Sequence, residues 1–342
     1  MCFTEPVSPP VRPSDVAAIQ SARSAVVSTA PSGKTEDPMP GTWRAIRLPN
    51  GWRGQVLVRV GTSPAQGLAA AWPDWTDWQR FLSQLVVAPH EIPDYAVLKC
   101  SRSADVIRGT VTCGSGWRPV VCKHTWKIQK WTRLLRACRS GGLHRQRTRA
   151  EALLRSGINT AQPLAMIKSR AAGETWLATA FIPGLVDLDE VALARLSQLE
   201  VSRQRQVKSA LLATIVDLCA RLEANGLYHR DLKASNILLA DWAGRDGPVR
   251  LYLVDLDGVL RRPRWRALWG WRPLVRLAAS LADHASIART DYARFLKAYL
   301  AISDTQGEDW KPRFRSLSRR VDKYVRRARV RKADKLDGFE PA

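Results

Sequence analysis

The sequence predicts an α+β fold in two lobes, a small antiparallel sheet with one helix followed by a mainly helical lobe. The chain has 342 residues, 45% of them hydrophobic, which is enough to bury a core of this size. Apolar runs of strand character, bounded by turn residues, occur in its first half at 95–99 and 120–124. A long helix is predicted in the second half, because apolar side chains recur there at helical spacing: Val207, Leu211, Leu212, Ile215, Leu218, Cys219 and Leu222.

Composition divides the chain into four segments. Residues 1–41 contain Pro, Ser, Thr and Ala without apolar periodicity, so we expect a flexible N-terminal segment. Residues 42–183 are predicted to form the N-terminal lobe and residues 184–305 the C-terminal lobe. Residues 306–342 are predicted to form a basic C-terminal tail.

Neither a secretory leader nor a disulfide framework is predicted. The first six residues lack a basic start and a long apolar run, and no apolar stretch is long enough to span a bilayer. The six cysteines form no C-x-x-C pair and do not cluster with histidine, so we expect free thiols. These features predict a cytoplasmic protein.

The strongest chemical signal is the string from His229 to Asn236, followed by an apolar strand that leads to Asp255. Transfer of the γ-phosphoryl group of ATP needs a carboxylate base, oxygen ligands for Mg²⁺ and a cation that offsets developing charge. We expect Asp231 to be the base, Asn236 and Asp255 to bind the metal, and Lys233 to be the cation. A loop followed by a strand and an aspartate is typical of kinases, so ATP and Mg²⁺ are the predicted cofactors.

A lysine that binds the α- and β-phosphates of ATP is expected upstream of this site. Lys123 is the best candidate, because it ends a strand-like run that follows a turn at 113–116. We predict that it pairs with Glu151, which lies in a helical segment that stops at Ser156 and Gly157.

The cover over the phosphates is expected to differ from a glycine-rich loop. No G-x-G-x-x-G precedes Lys123, and the matching region, 101–109, carries Arg102, Ser103 and Arg108. These side chains are predicted to bind phosphate, although arginines on an exposed hairpin are often only solvated. Adenine is expected at the backbone of Phe181 and Ile182, where a strand is broken by Pro-Gly.

With these motifs, the stretch from Trp43 to Leu300 resembles the lipopolysaccharide kinase (Kdo/WaaP) family. The resemblance rests on the glycine-poor 101–109 hairpin, on Lys123 and Glu151, on the 229–236 string and Asp255-Leu256-Asp257, and on the segments 277–281 and 290–300. It implies a two-lobed protein-kinase-like fold. It also implies that the acceptor is a sugar hydroxyl, on Kdo or heptose, of the core oligosaccharide linked to lipid A.

A formal net charge of +23 predicts an anionic partner. The basic residues concentrate at 261–272, where they alternate with tryptophan, and in the tail at 311–335. Tryptophan among arginines favours the headgroup zone of a bilayer. We therefore expect peripheral binding to the anionic inner leaflet, and rank nucleic acid well below it because no nucleic-acid-binding motif accompanies the charge. A basic tail that is merely a solvated helix face is the alternative.

Two other functions stay open. Lys233, two residues after the base, also occurs in protein kinases that act on Ser or Thr, but no Ala-Pro-Glu follows Asp255. The basic, Trp-rich stretch 261–276 is also unlike a regulated activation loop. The second alternative, a non-catalytic module that binds anionic membranes, is suggested by the charge alone.

Overall fold

The computed structural model describes most of the chain after residue 40 and allows the fold to be traced. Its described ranges are 41–58, 72–101, 104–114, 116–126, 142–170, 173–240, 249–261, 271–302 and 309–337. They belong to one compact unit, Pro38–Ala342. Residues 1–40 and most of the Trp-rich stretch 261–272 lie outside these ranges, so the expectations for them stay predictions.

The strands and main helices are named here in chain order. The strands are β1 Thr42–Arg47, β2 Trp52–Val58, β3 Ala96–Cys100, β4 Ala104–Cys113, β5 Gly116–Thr125, β6 Pro163–Ser169, β7 Thr175–Ala180, β8 Val186–Asp187, β9 Leu227–His229, β10 Ile237–Ala240, β11 Arg250–Leu253 and β12 Val259–Arg261. The helices are α1 Trp75–Val87, α2 Gly142–Arg155, α3 Val201–Ala224, α4 Trp271–Leu281, α5 Arg289–Ile302 and α6 Trp310–Asp337.

The N-terminal lobe is built on an antiparallel sheet with the strand order β1-β2-β6-β7-β5-β4-β3. Its longest hairpin joins β4 to β5 at Gly114, whose φ of 49° is a left-handed conformation that glycine adopts without strain. The register pairs Lys123 of β5 with Val106 of β4 and with Leu177 of β7. The predicted lysine therefore lies in the middle of the sheet.

Helix α1 covers one face of this sheet. Asp74 and Asp77 form a capping box at its N-terminus. Trp78 is fully buried, and its Nε1 donates to the Leu57 carbonyl at 3.1 Å. Because side chains alternate along a strand, the covered face of β5 carries Val120 and Cys122, and the opposite face carries Val121 and Lys123.

The C-terminal lobe is packed around α3, the long helix that the sequence predicted. Its buried side chains are Leu211, Ile215, Val216, Leu218, Cys219 and Leu222. They share one core with apolar residues of α4 and α5, and with Ala150 and Leu153 of α2. Helix α2 ends at Arg155 and is followed by Gly157, with φ of 67°, after which Ile158 N donates to the Leu153 carbonyl at 2.9 Å.

The predicted α+β fold, with an antiparallel sheet in the first half and helices in the second, is confirmed. Helix α6 forms most of the basic tail and packs on α4 and α5. None of the helices in the described ranges is long and apolar enough to cross a membrane. The four segment boundaries drawn from composition stay predictions.

Candidate active site

A short antiparallel hairpin brings the two predicted metal ligands together. Strands β10 and β11 pair with Ile237 opposite Leu253, so Asn236 before β10 and Asp255 after β11 lie at the same end. The backbone continues this contact, because Val254 N donates to the Asn236 carbonyl at 3.0 Å. Two residues 19 positions apart in sequence are therefore neighbours as a direct result of strand pairing.

A second pair of strands fixes the entry to the loop that carries Asp231. His229 of β9 pairs with Val259 of β12, and Arg230 N donates to the Gly258 carbonyl at 2.7 Å. The His229 side chain is 1% exposed and hydrogen-bonds the Val254 carbonyl through Nε2 at 3.2 Å. Burial lowers the pKa of His229 and outweighs the hydrogen bond and the nearby carboxylates, which act in the opposite direction. His229 is thus a neutral packing residue beneath the loop.

Asp231 is contacted by three side chains, two from its own loop and one from helix α4. The Asn236 side-chain amide donates to its backbone carbonyl at 2.9 Å, which closes the loop. On the carboxylate, Oδ2 lies 3.6 Å from Nζ of Lys233. The other oxygen, Oδ1, accepts a hydrogen bond from Nη2 of Arg276 on α4. The sequence predicted Asp231, Lys233 and Asn236 for this loop, but not Arg276.

Helix α4 makes a further contact with the same loop. Ser280 Oγ accepts a hydrogen bond from Ala234 N at 2.9 Å. Neither Ser280 nor Arg276 was identified in advance as a site residue. Arg276 is one of many basic residues in the stretch 261–276, so the sequence did not distinguish it from its neighbours. Ser280 lies in the segment 277–281, which contributed only to the family resemblance.

Lys123 reaches the site across the cleft and binds Asp255. Its Nζ lies 3.1 Å from Oδ1 of Asp255, and both side chains are about one-third exposed. Burial alone would raise the pKa of Asp255, but the charge and hydrogen bond of Lys123 lower it below the usual value. Asp255 has φ of 59° and ψ of 57°, a left-handed conformation that is uncommon for a residue with a side chain and concentrates at functional sites.

The predicted pair of Lys123 with Glu151 is not formed. Glu151 is 44% exposed at its side chain and lies 3.5 Å from Nε of Arg147, on its own helix. The reason is helix phase: at 3.6 residues per turn, Glu151 points about 140° away from Gln146. It is Gln146 that faces the site, where its Nε2 donates to Oδ1 of Asp257 at 2.9 Å.

The turn after Asp255 is held by α2. Arg149 Nη1 donates to the carbonyls of Leu256 and Asp257, both at 3.1 Å. The Asp257 carboxylate, bound by Gln146, therefore braces the turn. Arg230, in the loop that carries Asp231, has an exposed side chain.

The predicted nucleotide contacts are only partly visible. Ser101 Oγ, directly after β3, donates to the carbonyl of Ala104, the first residue of β4, at 2.7 Å. Arg102 and Ser103 lie outside the described residues, so their predicted phosphate contacts stay predictions. The Arg108 guanidinium lies 5.7 Å from the ring centroid of Phe181, directly after β7, so Arg108 lies beside the predicted adenine segment. Ile182 follows at a half-buried position.

The donor set at the hairpin end fits Mg²⁺. The ion prefers oxygen ligands and is commonly held by one or two protein groups together with substrate phosphates and water. Asn236 and Asp255 supply an amide oxygen and a carboxylate, and the Asn236 nitrogen is already used by the Asp231 carbonyl. Among the described residues there is no group of three or more His, Cys, Asp and Glu suited to a metal ion.

Comparisons with known proteins identify a relationship to one family. The model of the lipopolysaccharide kinase (Kdo/WaaP) family matches residues 100–299. A solved structure described as WaaP in complex with acyl carrier protein is similar, with a TM-score of 0.47 and 19% sequence identity, over 68% of this chain and 87% of that chain. No curated protein sequence matches this chain.

Proposed function

Since the match covers more than half of its residues, the chain belongs to the lipopolysaccharide kinase (Kdo/WaaP) family, and we propose that it transfers phosphate from ATP to a sugar hydroxyl of the lipopolysaccharide core. The acceptor in this proposal is Kdo or heptose of the oligosaccharide linked to lipid A. The family supports a kinase that acts in lipopolysaccharide synthesis. ATP, the acceptor sugar and the site of action are our inference from the cleft.

The observation that carries the proposal is the meeting of two lobes at one hairpin end. Lys123 of the sheet binds Asp255, while Asn236, beside Asp255, donates to the loop at Asp231. A base, two oxygen ligands and a cation thus lie together, although they come from distant parts of the sequence. Phosphoryl transfer needs little covalent chemistry from the protein, so this kind of positioning is its main contribution.

Each residue has one role in the proposed mechanism. Asp231 accepts the proton of the acceptor hydroxyl as its oxygen attacks the γ-phosphorus in line with the leaving ADP. Lys233 offsets charge on the transferring group, and Lys123 orients the α- and β-phosphates. Asn236 and Asp255 would hold Mg²⁺, which neutralises phosphate charge when bound. Adenine would lie along the backbone at Phe181 and Ile182, with Arg108 beside it and Ser103 over the phosphates.

The exposed face of α6 supports action at an anionic membrane surface. Its apolar side chains Phe314, Leu317 and Val321 line a space shared with α4 and α5, so they face the protein. Arg315, Arg319, Lys323 and Arg326 recur at helical spacing on the opposite face and are exposed. Such a stripe attracts anionic lipid without inserting into it. In this proposal the enzyme works at the cytoplasmic face of the inner membrane.

A protein kinase of the Ser/Thr type is the second candidate, and one contact favours it. Lys233 Nζ lies 3.6 Å from the Asp231 carboxylate. Protein kinases that act on Ser or Thr also carry a lysine two residues after the base. A membrane-binding module without catalysis is disfavoured, because nothing in such a module would require a lysine, a left-handed aspartate and a closed loop to meet in one cleft.

The proposal is tested by offering two acceptors in parallel. Labelled phosphate is supplied as Mg-ATP to lipid A that carries Kdo and heptose, and separately to a mixture of proteins. We expect label on the glycolipid and its loss in Asp255→Asn. Asparagine tolerates the left-handed backbone conformation of this position but removes the negative charge. Label on protein alone would favour the protein kinase. Label on neither, with vesicle binding retained, would contradict both kinase proposals.

A further inference from the structure

Arg276 lies in the active site although the proposed mechanism gives it no role. It projects from the middle of α4 and donates from Nη2 to Oδ1 of Asp231. Its side chain is 24% exposed and that of Asp231 is 26% exposed, so the pair is screened from much of the solvent. A partly buried, charge-assisted hydrogen bond of this kind fixes geometry far better than a solvated one.

The guanidinium of Arg276 is supported from its other side by the C-terminal helix. Its central carbon lies 5.5 Å from the ring centroid of Tyr324 on α6, within the range of a cation–π contact. Arg276 Nε is buried and has no hydrogen-bond partner among the described residues. Within those residues, its orientation therefore depends on the Asp231 carboxylate and the Tyr324 ring.

The rest of α4 holds this arrangement in register with the loop. Ser280, one turn after Arg276 on the same helix face, accepts from Ala234 N. Helix α4 therefore contacts the loop at two points, Asp231 and Ala234. Helix α6 packs on α4 and lies beyond residues 100–299, the part that matches the family.

We propose that Arg276 is a positioning residue for Asp231, and that Tyr324 holds Arg276 in place, so that α6 completes the phosphotransfer centre. The inference rests on the proposed function, in which Asp231 is the base. Arg276 binds Oδ1 and thereby directs Oδ2 to the acceptor. The acceptor O–H bond breaks and its proton moves to Oδ2, a new O–P bond forms, and the P–O bond to the leaving ADP breaks.

The first test separates positioning from folding by comparing matched substitutions on α6. Tyr324→Leu keeps an apolar side chain but removes the ring, whereas Tyr324→Phe keeps the ring. Phe314→Leu is the control, because Phe314 is on α6 like Tyr324 but contacts a different cation. Its ring centroid lies 5.7 Å from the guanidinium of Arg289 on α5. For each variant, kcat of transfer to lipid A with core sugars, KM for ATP and the melting temperature are measured.

We expect Tyr324→Leu to lower kcat about fivefold, which is the size of one cation–π contact, with KM for ATP unchanged. Tyr324→Phe and Phe314→Leu should stay within about twofold of the unaltered enzyme. Arg276→Lys, which keeps the charge but loses the planar fork, should lower kcat about 100-fold, as a misplaced base would. Equal losses in Tyr324→Leu and Phe314→Leu, or full activity in Arg276→Lys, would overturn the inference.

A second readout needs no acceptor and so distinguishes this inference from the proposed function. Nitrogen NMR of the arginine side chains reports whether the Arg276 guanidinium rotates, and its signal is assigned by its loss in Arg276→Lys. A held guanidinium gives separate Nη signals, which we expect to merge in Tyr324→Leu and in Asp231→Asn but not in Phe314→Leu. Signals that stay separate in Tyr324→Leu would refute the role of α6, even in a preparation that phosphorylates no glycolipid.

Discussion

His229 shows how one buried side chain connects the stability of the site to pH. It packs beneath the loop and binds the carbonyl of the residue before Asp255. Burial disfavours its charged form more than the carboxylates of Asp255 and Asp231 favour it, so its pKa in the folded protein is lowered. Its neutral state is therefore part of the folded structure.

The stability of the protein should accordingly fall when His229 is forced to titrate. The unfolded chain binds a proton near pH 6.5, the ordinary value, and the folded chain only at lower pH. Between these values the unfolded state holds more protons, so the free energy of unfolding is at its full value above about 6.5 and declines as the pH falls. Chemical denaturation from pH 7.5 to 5.5 should show this decline.

The same measurement on two variants assigns the decline to one residue. His229→Gln should flatten the pH dependence, because glutamine does not titrate. His90→Gln replaces a histidine whose side chain is 71% exposed and should leave the dependence unchanged. Identical slopes in His229→Gln and the unaltered protein would contradict this account of the residue.

At the level of elements, the site depends on close packing between the two short strand pairs. Gly258 begins the return into β12, and a Cβ atom there would lie 2.8 Å from Cε1 of His229. The ring is 1% exposed and cannot move into solvent without breaking its hydrogen bond to Val254. The glycine thus permits the loop and the turn after Asp255 to approach each other.

Gly258→Ala should therefore destabilise the protein by about 1–3 kcal/mol, as overpacking does, and disturb the position of Asp255. Denaturant unfolding measures the first effect and phosphate transfer the second. In a His229→Ala background the ring is absent, so adding Gly258→Ala should cost much less. The same cost in both backgrounds would show that the contact with His229 is not the reason.

Structural elements that are marked by a short stretch of sequence could be predicted. Contacts that depend on the rotation of a helix, or on packing between distant segments, could not. The loop residues Asp231 and Asn236 and the strand that leads to Asp255 follow from a short string and an apolar run. Glu151 was chosen because it lies in a predicted helical segment, yet the rotation of that helix turns it away from Lys123. Arg276 is 45 residues from Asp231, and only the packing of α4 brings it there.

On the scale of the whole molecule, the basic residues behind the net charge of +23 differ in what they contact. The stripe of basic residues on α6 faces away from α4 and α5, whereas other arginines, such as Arg147 and Arg149, are used inside the fold. The stripe is therefore one exposed concentration of positive charge among the described residues.

Binding to vesicles that contain anionic lipid should depend on this stripe. Replacing Arg319, Lys323 and Arg326 together by glutamine should weaken binding about 100-fold, since each basic group near such a surface contributes about 1 kcal/mol. Replacing the exposed Arg44, Arg47 and Arg53 of the β1–β2 hairpin changes the net charge equally and should have a much smaller effect. Equal losses in a sedimentation assay would assign the binding to total charge rather than to α6.

In the proposed mechanism Asp231 is the base of a phosphotransfer centre assembled between the two lobes. The most direct measurement is the turnover of Asp231→Asn with Mg-ATP and core-bearing lipid A, together with its affinity for ATP and its melting temperature. We predict a loss of about 10²–10⁴ in kcat, with nucleotide binding and folding retained. Turnover close to that of the unaltered enzyme would contradict the claim.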